Sequence, residues 1–209
     1  GRSTRRLFGP SYSLLRDEFL SYRALPRPQQ EGLPKLLVFF GGGASALELL
    51  RVLPVLLPLP VRLDIVISSA TPERATLERM LEGQQHASLH VDTEQMAKLL
   101  HAADLYVGAG GTVTWERACL GLPGVVAALS FNQQAISSAC ARRAVLKGGS
   151  GLRGDTHAFD LDRHGIADFG TGNGIDTDKR ITVFCRMVIG TFQEHRIAKT
   201  ITYSEINSY

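Results

Sequence analysis

From residue 35 onward, short apolar runs alternate with stretches in which apolar residues recur every three or four positions. The first pattern is typical of buried strands and the second of amphipathic helices. The predicted strands are residues 36–40, 64–68, 88–91, 105–109 and 124–129. The predicted helices lie around residues 44–52, 71–81, 93–102, 113–120 and 134–143. Their alternation indicates an α/β fold with a Rossmann-like parallel sheet.

The helix predicted around residues 93–102 has the clearest local signals. Asp92 can accept a hydrogen bond from the first turn, and Gln95 stands three positions later, as in a capping box. These signals predict that the helix begins at Glu94. Met96 falls on its apolar face, so we expect Met96 to lie in the core.

Three prolines follow the first predicted helix, at Pro54, Pro58 and Pro60. Proline has no backbone N–H and clashes with the preceding turn of a helix. The prolines therefore predict that this helix ends early and that an irregular link leads to the second strand.

The pattern divides the chain into three parts. Before Lys35, the stretch "SYSLLRDEFLSY" predicts a short helix, and "RALPRPQQEGLPK" is a proline-rich linker. The start, "GRSTRRLFGP", has no initiating Met and no apolar signal core, which is typical of a chain that continues from an upstream part. From about residue 151, Gly and Asp are frequent and periodic apolar positions are few. We assign residues 1–34 to a linker and helix, 35–150 to the α/β domain and 151–209 to a divergent tail.

Composition excludes several classes of protein. A hydrophobic share of 44% with 21% charged residues excludes a disordered chain, and no apolar run approaches the roughly 18 residues of a membrane helix. The net charge of +3 comes from scattered basic residues, which argues against a nucleic-acid partner. The three cysteines are too widely spaced for a disulfide framework or a zinc site, so we expect a cytoplasmic protein.

Two glycine loops each follow a predicted strand and precede a predicted helix. They are "VFFGGGAS", residues 38–45, and "YVGAGGT", residues 106–112. Glycines at the end of a strand let a ligand approach the backbone, and free N–H groups at a helix start favour an anion such as a diphosphate. Either loop can equally be a tight turn, because neither has the spacing of a Walker or dinucleotide fingerprint.

Glu116 stands about one turn into the helix that follows the second loop. From there its carboxylate can point back to the loop and accept two hydrogen bonds from the hydroxyls of a ribose. A first-turn Glu can also do no more than offset the helix dipole. The residues alone leave both interpretations open.

The stretches "GPSYSLLRDEF", "VFFGGGAS" and "MAKLLHAADLYVGAGGTVTWERACLGLPGVVAALSFNQQ" together resemble one family of enzymes. They look like the C-terminal half of the UDP-sugar hydrolase of pseudaminic acid biosynthesis. That family removes UDP from UDP-2,4-diacetamido-2,4,6-trideoxy-β-L-altropyranose and is similar in fold to two-domain GT-B transferases. The resemblance extends from about residue 9 to residue 150.

The resemblance implies a set of binding residues for a UDP-sugar. The diphosphate would be held by the second loop, at Gly108, Ala109, Gly110, Gly111 and Thr112. Glu116 would take the ribose hydroxyls. The sugar or its phosphate would be reached by the first loop and by a turn after the last strand, at Gly41, Gly42, Gly43, Asn132 and Gln133. Trp115 also matches, and we expect it to pack against the sheet.

The resemblance gives this chain no catalytic residue. The family's catalytic histidine lies in an N-terminal domain, and none of the six histidines here falls at a matching position. We therefore expect a separate N-terminal catalytic domain as a partner, and no metal or other cofactor. Two alternatives remain open: the donor-binding half of a UDP-sugar glycosyltransferase, and a nucleotide-binding fragment without catalysis.

In the tail, "DTHAFDLDRH" places His157, Asp160, Asp162 and His164 close together in the sequence. Histidine and aspartate are metal ligands, but this spacing matches no known kind of metal site. We interpret the stretch as a solvated loop. Cys119 follows the apolar face of its helix, and we expect it to be a small core residue.

Overall fold

A computed structural model describes residues 4, 6–7, 12–28, 32–42, 46–122, 124–127, 129, 133 and 136. The predicted helix around residues 134–143 and the tail from residue 151 lie outside this part of the chain, apart from residue 136. The described part contains one sheet and the helices that cover it.

Five parallel strands form the sheet, in the order β3-β2-β1-β4-β5. The strands are β1 Lys35–Phe39, β2 Arg62–Ile67, β3 Ala87–Val91, β4 Leu105–Ala109 and β5 Gly124–Ala127. The helices are α1 Asp17–Arg23, α2 Leu47–Leu56, α3 Arg74–Leu81, α4 Met96–Ala102 and α5 Val113–Cys119. This order confirms the Rossmann-like α/β fold that the alternation of strands and helices predicts.

Each face of the sheet has its own apolar core. One core packs inward-facing residues of α2 and α3 against alternate strand positions such as Leu36 and Ile65. The other packs α1, α4 and α5 against the positions between them, such as Leu37 and Val66. Because successive side chains of a strand point to opposite faces, strands covered on both faces are apolar along most of their length.

The start of α4 differs from the prediction, since the helix begins at Met96 and not at Glu94. Its N-cap residue, Gln95, makes no side-chain capping bond. Asp92 has a positive φ of 47° and accepts a hydrogen bond from the backbone N–H of Ser69 at 2.9 Å. Its carboxylate therefore ties the end of β3 to the loop after β2. The predicted capping box is wrong because Asp92 serves a neighbouring loop. Met96 is buried in the second core, as expected.

The first predicted helix does not end before its prolines, because α2 contains Pro54 and continues to Leu56. Leu53 and Leu56 are fully buried against the sheet, and the N–H of Leu57 still donates to the carbonyl of Leu53 at 2.9 Å. Apolar burial of the last turn outweighs the hydrogen bond that Pro54 cannot make. The irregular link begins only after this turn.

None of the helices in the described part of the chain is long and apolar enough to cross a bilayer.

Candidate functional site

A cleft of about 490 Å³ lies at the carboxyl ends of the strands. The order of the sheet places it where β1 and β4 are neighbours and where the helices that follow them, α2 and α5, go to opposite faces. Ligands of open α/β sheets bind at such a switch point. Its described lining residues are Arg16, Phe39, Gly41, Gly42, Val66, Ile67, Ser68, Asp92, Thr93, Met96, Gly110, Thr112, Val113 and Glu116.

The second glycine loop starts inside the sheet, because Gly108 and Ala109 are the last two residues of β4. Gly108 is buried in β4 opposite Phe39, and a Cβ atom there would lie 1.8 Å from the Phe39 carbonyl oxygen. The Tyr106 hydroxyl fills the same space, and its oxygen lies 2.7 and 2.8 Å from the carbonyl oxygens of Phe39 and Ala109, so that its single proton can be donated to either. Close packing of β1 and β4 therefore requires the glycine at 108.

The rest of this loop faces the cleft at Gly110 and Thr112. Gly111, between them, has a φ of 120°, which favours glycine. The N–H of Gly110 is bonded to the carbonyl of Ala127 at 3.1 Å. The backbone N–H groups of Gly111 and Thr112 have no acceptor among the residues that the structure describes.

The first turn of α5 offers fewer free donors than its position suggests. The N–H of Thr114 donates to the carbonyl of Gly111, and those of Trp115 and Glu116 donate to the carbonyl of Thr112, at 3.0, 3.0 and 3.4 Å. An anion in the cleft would meet the N–H groups of Gly111, Thr112 and Val113, for which no acceptor is found among the described residues, rather than those of the next three residues of the helix.

Glu116 lies in this cleft with only 10% of its side chain exposed. Its Oε1 atom is 3.3 Å from Nη2 of Arg16. Burial raises the pKa of Glu116, and the charge and hydrogen bond of Arg16 act in the opposite direction. The structure thus places a poorly hydrated carboxylate beside the loop, where the sequence predicts it.

Arg16 is a residue of the cleft that the sequence interpretation missed. It immediately precedes α1, and its Nη1 atom is 2.8 Å from Oε1 of Glu18. Its guanidinium lies 5.0 Å from the centre of the Phe19 ring. One sequence signal could have found Arg16. A cation at a helix N-terminus is electrostatically unfavourable, so its presence there indicates a role other than stabilising the helix.

The first glycine loop reaches the cleft at Gly41 and Gly42, both exposed. Gly41 has a φ of 104°, which favours glycine. Gly42 has space for a side chain, because a Cβ atom there would have no atom within 4 Å. Gly43 lies outside the described residues. The structure therefore brings two of the three predicted glycines to the site.

The turn after β5 is described only in part. The Gln133 side chain accepts a hydrogen bond from the N–H of Leu129 at 2.9 Å. Its Nε2 atom is 4.0 Å from the point that a Cβ atom on Gly111 would occupy, so this side chain reaches the second loop. Asn132 lies outside the described residues.

The far end of the cleft contains polar residues from the ends of β2 and β3, Ser68, Asp92 and Thr93. Hydrogen bonds from Ser69 hold the pKa of Asp92 below its ordinary value. The sequence interpretation gave these residues no role at the site. Their position after predicted strands is the signal that could have found them.

The other side chains of α5 differ in how they pack against the domain. Arg117 is almost fully buried and donates to the carbonyl of Leu122 at 2.9 Å, with its guanidinium 5.6 Å from the Tyr106 ring. Cys119 packs against the second core, as expected. Trp115 is only half-buried and is absent from both described cores, so its predicted packing against the sheet is wrong.

Three histidines lie in the described part of the chain, and none of them lines the cleft. His86 bonds to the carbonyl of Leu57 at 3.0 Å, and His90 bonds to Oδ1 of Asp64 at 2.9 Å. His101 is buried, and its ring lies 5.3 Å from the Tyr22 ring in a tilted contact. Nor do three or more His, Cys, Asp or Glu side chains group together here as metal ligands would.

Comparison with curated proteins finds a similarity to one protein of polysaccharide biosynthesis. It is 28% identical over 128 residues to the spore coat polysaccharide biosynthesis protein SpsG of Bacillus subtilis (strain 168). The alignment covers 59% of this chain and 38% of SpsG, so the chain spans less than half the length of this relative. No protein family model matches the chain.

Two solved structures share 16% sequence identity with this chain over 93% of its length. One is WaaG, a glycosyltransferase involved in lipopolysaccharide biosynthesis, with a TM-score of 0.41 and 50% of its chain covered. The other is MurG of Acinetobacter baumannii, with a TM-score of 0.39 and 57% covered. Both TM-scores are below 0.5, so these likenesses identify no ligand and no activity for this chain.

Proposed function

We propose that this chain binds a UDP-sugar in the cleft at the switch point, through the ribose and the diphosphate. The observation that carries the proposal is the buried carboxylate of Glu116 beside the N–H groups of Gly111 and Thr112, for which the described residues provide no acceptor. A carboxylate accepts two hydroxyl hydrogen bonds, as the vicinal hydroxyls of a ribose offer, and backbone N–H groups bind phosphate oxygens.

The other predicted residues have distinct parts in this proposal. Gly108 and Ala109 set the spacing of the strand from which the loop starts, Gly110 keeps the loop close to the ligand, and the Thr112 hydroxyl adds a donor. Gly41, Gly42 and Gly43 would let the sugar lie close to the backbone, and Asn132 and Gln133 would bind the sugar or its phosphate. The exposed backbone at Gly41 and Gly42 supports this arrangement.

The resemblance to the pseudaminic acid family supports a specific parent reaction, and the likeness to SpsG supports the wider setting of polysaccharide biosynthesis. In that reaction water attacks C1 of the sugar, the C1–O bond breaks and UDP leaves. The base that takes the proton of the water would come from another domain. The cytoplasm, where nucleotide sugars are made, is the proposed location.

A nucleotide-binding module without its own catalysis is the second candidate. The observation that favours it is the absence of the described histidines from the cleft. Incubation with the UDP-diacetamido sugar separates the candidates. Free sugar and UDP indicate a hydrolase, sugar on an added acceptor indicates a transferase, and intact nucleotide sugar indicates a binding module.

The Glu116→Ala variant tests the ribose assignment directly. We expect UDP affinity to fall by about 1–3 kcal/mol, the range for a hydrogen bond to a charged group. Glu78→Ala is the matched control, because Glu78 is exposed on α3 and pairs with Arg74 outside the cleft. An unchanged dissociation constant for a folded Glu116→Ala protein would refute the assignment.

A further inference from the structure

Arg16 is the only cationic side chain among the described residues that line the cleft. The other charged groups of that lining are the carboxylates of Glu116 and Asp92. A diphosphate entering the cleft would therefore meet two like charges and one opposite charge. Because Coulomb energies grow as water is excluded, the position of the single guanidinium matters for an anionic ligand.

The position of Arg16 is fixed by α1. Phe19 is fully buried in the second core, and its backbone N–H donates to the carbonyl of Arg16 at 3.1 Å. The backbone of Arg16 is thus attached to the body of the domain. Its side chain is 53% exposed, so the guanidinium can change partners while α1 stays in place.

The contacts of the guanidinium leave it suited to a second partner. It makes one 3.3 Å contact to Glu116, at the long end of the range for charged hydrogen bonds, and one 2.8 Å contact to Glu18. Arginine has five N–H donors in a planar fork that matches phosphate oxygens in pairs. A diphosphate would therefore offer more acceptors to Arg16 than the single Oε1 contact with Glu116.

We propose that Arg16 is a ligand-binding residue that exchanges partners: it pairs with Glu116 in the free protein and with the phosphates of the nucleotide in the complex. The inference rests on the proposed function, since it requires a phosphate-bearing ligand in this cleft. The exchange frees Oε1 of Glu116 for a ribose hydroxyl. Each charge keeps a partner throughout, because phosphate replaces the carboxylate and hydroxyls replace the guanidinium.

The test compares the affinities of UDP and of uridine, which has the same ribose and base but no phosphate. Calorimetry measures UDP, and ligand-observed NMR measures uridine, whose binding is weaker. The variants are Arg16→Gln, Arg16→Lys and Glu116→Gln. The control is Arg51→Gln, because Arg51 is on α2, pairs with Glu48 and is outside the cleft lining.

We expect Arg16→Gln to weaken UDP binding by about tenfold or more, as for the loss of a charged hydrogen bond. Uridine binding should stay unchanged or become tighter, since Glu116 is then already free. Arg16→Lys should lose less UDP affinity than Arg16→Gln, because it keeps the charge without the fork. Glu116→Gln should weaken both ligands, and Arg51→Gln neither.

Three results would overturn the inference, and they differ in what else they affect. Equal loss of UDP and uridine affinity in a folded Arg16→Gln protein would show that Arg16 acts only by orienting Glu116. UDP binding that is unchanged in Arg16→Gln would remove Arg16 from the site and leave the proposed function standing. Absence of UDP binding to the unmodified chain would refute the proposed function and this inference together.

Discussion

The carboxylate of Glu116 is mostly buried, and this burial determines its pKa and its hydrogen bonding. Its side chain is 10% exposed, and Arg16 contacts its Oε1 atom. Burial raises the pKa of this carboxyl more than the guanidinium lowers it. A group of this kind forms strong hydrogen bonds with a ligand that replaces the missing water.

The same burial predicts a pH dependence of stability. The pKa of Glu116 is higher in the folded protein than its ordinary value of 4.5, so the group supports folding below that value. This contribution is lost as the pH rises through the folded pKa. The Glu116→Gln variant should therefore be more stable than the parent at neutral pH, and the difference should shrink as the pH falls toward 4.5.

Urea unfolding at a series of pH values measures this difference. Glu78→Gln serves as the control, because the Glu78 side chain is 49% exposed and water hydrates its charge in both states. If the stability difference for Glu116→Gln stayed constant over the pH series, burial would not raise the pKa of Glu116 in the folded protein.

Sequence reasoning could place Glu116 at the site, whereas the one sequence signal at Arg16, a cation just before a helix, does not say where its side chain lies. Glu116 follows a glycine loop at a fixed helical spacing, which is local information. Arg16 reaches the cleft from 100 positions earlier in the chain, and its place depends on how α1 packs on α4 and α5. No local pattern contains that packing.

At the scale of elements, the contact between β1 and β4 shapes the floor of the cleft. The two strands pair in parallel from Leu36 with Leu105 to Phe39 with Gly108. At their carboxyl ends the Phe39 carbonyl and the Tyr106 hydroxyl occupy the space where a side chain at 108 would stand. Burial accordingly raises the pKa of Tyr106, which keeps its hydroxyl a donor.

Two glycine substitutions separate structural from ligand-facing glycines. Gly108→Ala should lower the free energy of unfolding by at least about 2 kcal/mol, because its Cβ would collide with the Phe39 carbonyl. Gly42→Ala should change it by less than about 0.5 kcal/mol, because no atom lies within 4 Å of the added Cβ. Urea unfolding followed by circular dichroism gives both values, and equal losses would contradict the account of β4.

Elements could be predicted from the sequence more readily than their ends. Most positions of β1, β2, β4 and β5 are apolar because both faces of the sheet are covered, and that signal is strong. The edge strand β3, with the sequence Ala-Ser-Leu-His-Val, has a weaker signal. The ends depend on tertiary contacts. Asp92 caps no helix because it binds the loop at Ser69, and α2 passes Pro54 because Leu53 and Leu56 bury their side chains.

At the scale of the whole molecule, the strand order decides where a ligand can bind. The glycine loops are about 70 residues apart in the sequence, yet they meet because β1 and β4 are neighbours. The packing of α1 on α4 and α5 brings Arg16 to the same cleft as Glu116. We propose that this cleft binds UDP through its ribose and diphosphate.

Calorimetric titration of the chain with UDP, alongside UMP and ADP, measures this binding. We predict micromolar to sub-millimolar binding of UDP, weaker binding of UMP because it has one phosphate fewer, and a preference for UDP over ADP. The absence of binding heat with UDP over that range, from a chain shown by circular dichroism to be folded, would contradict the claim.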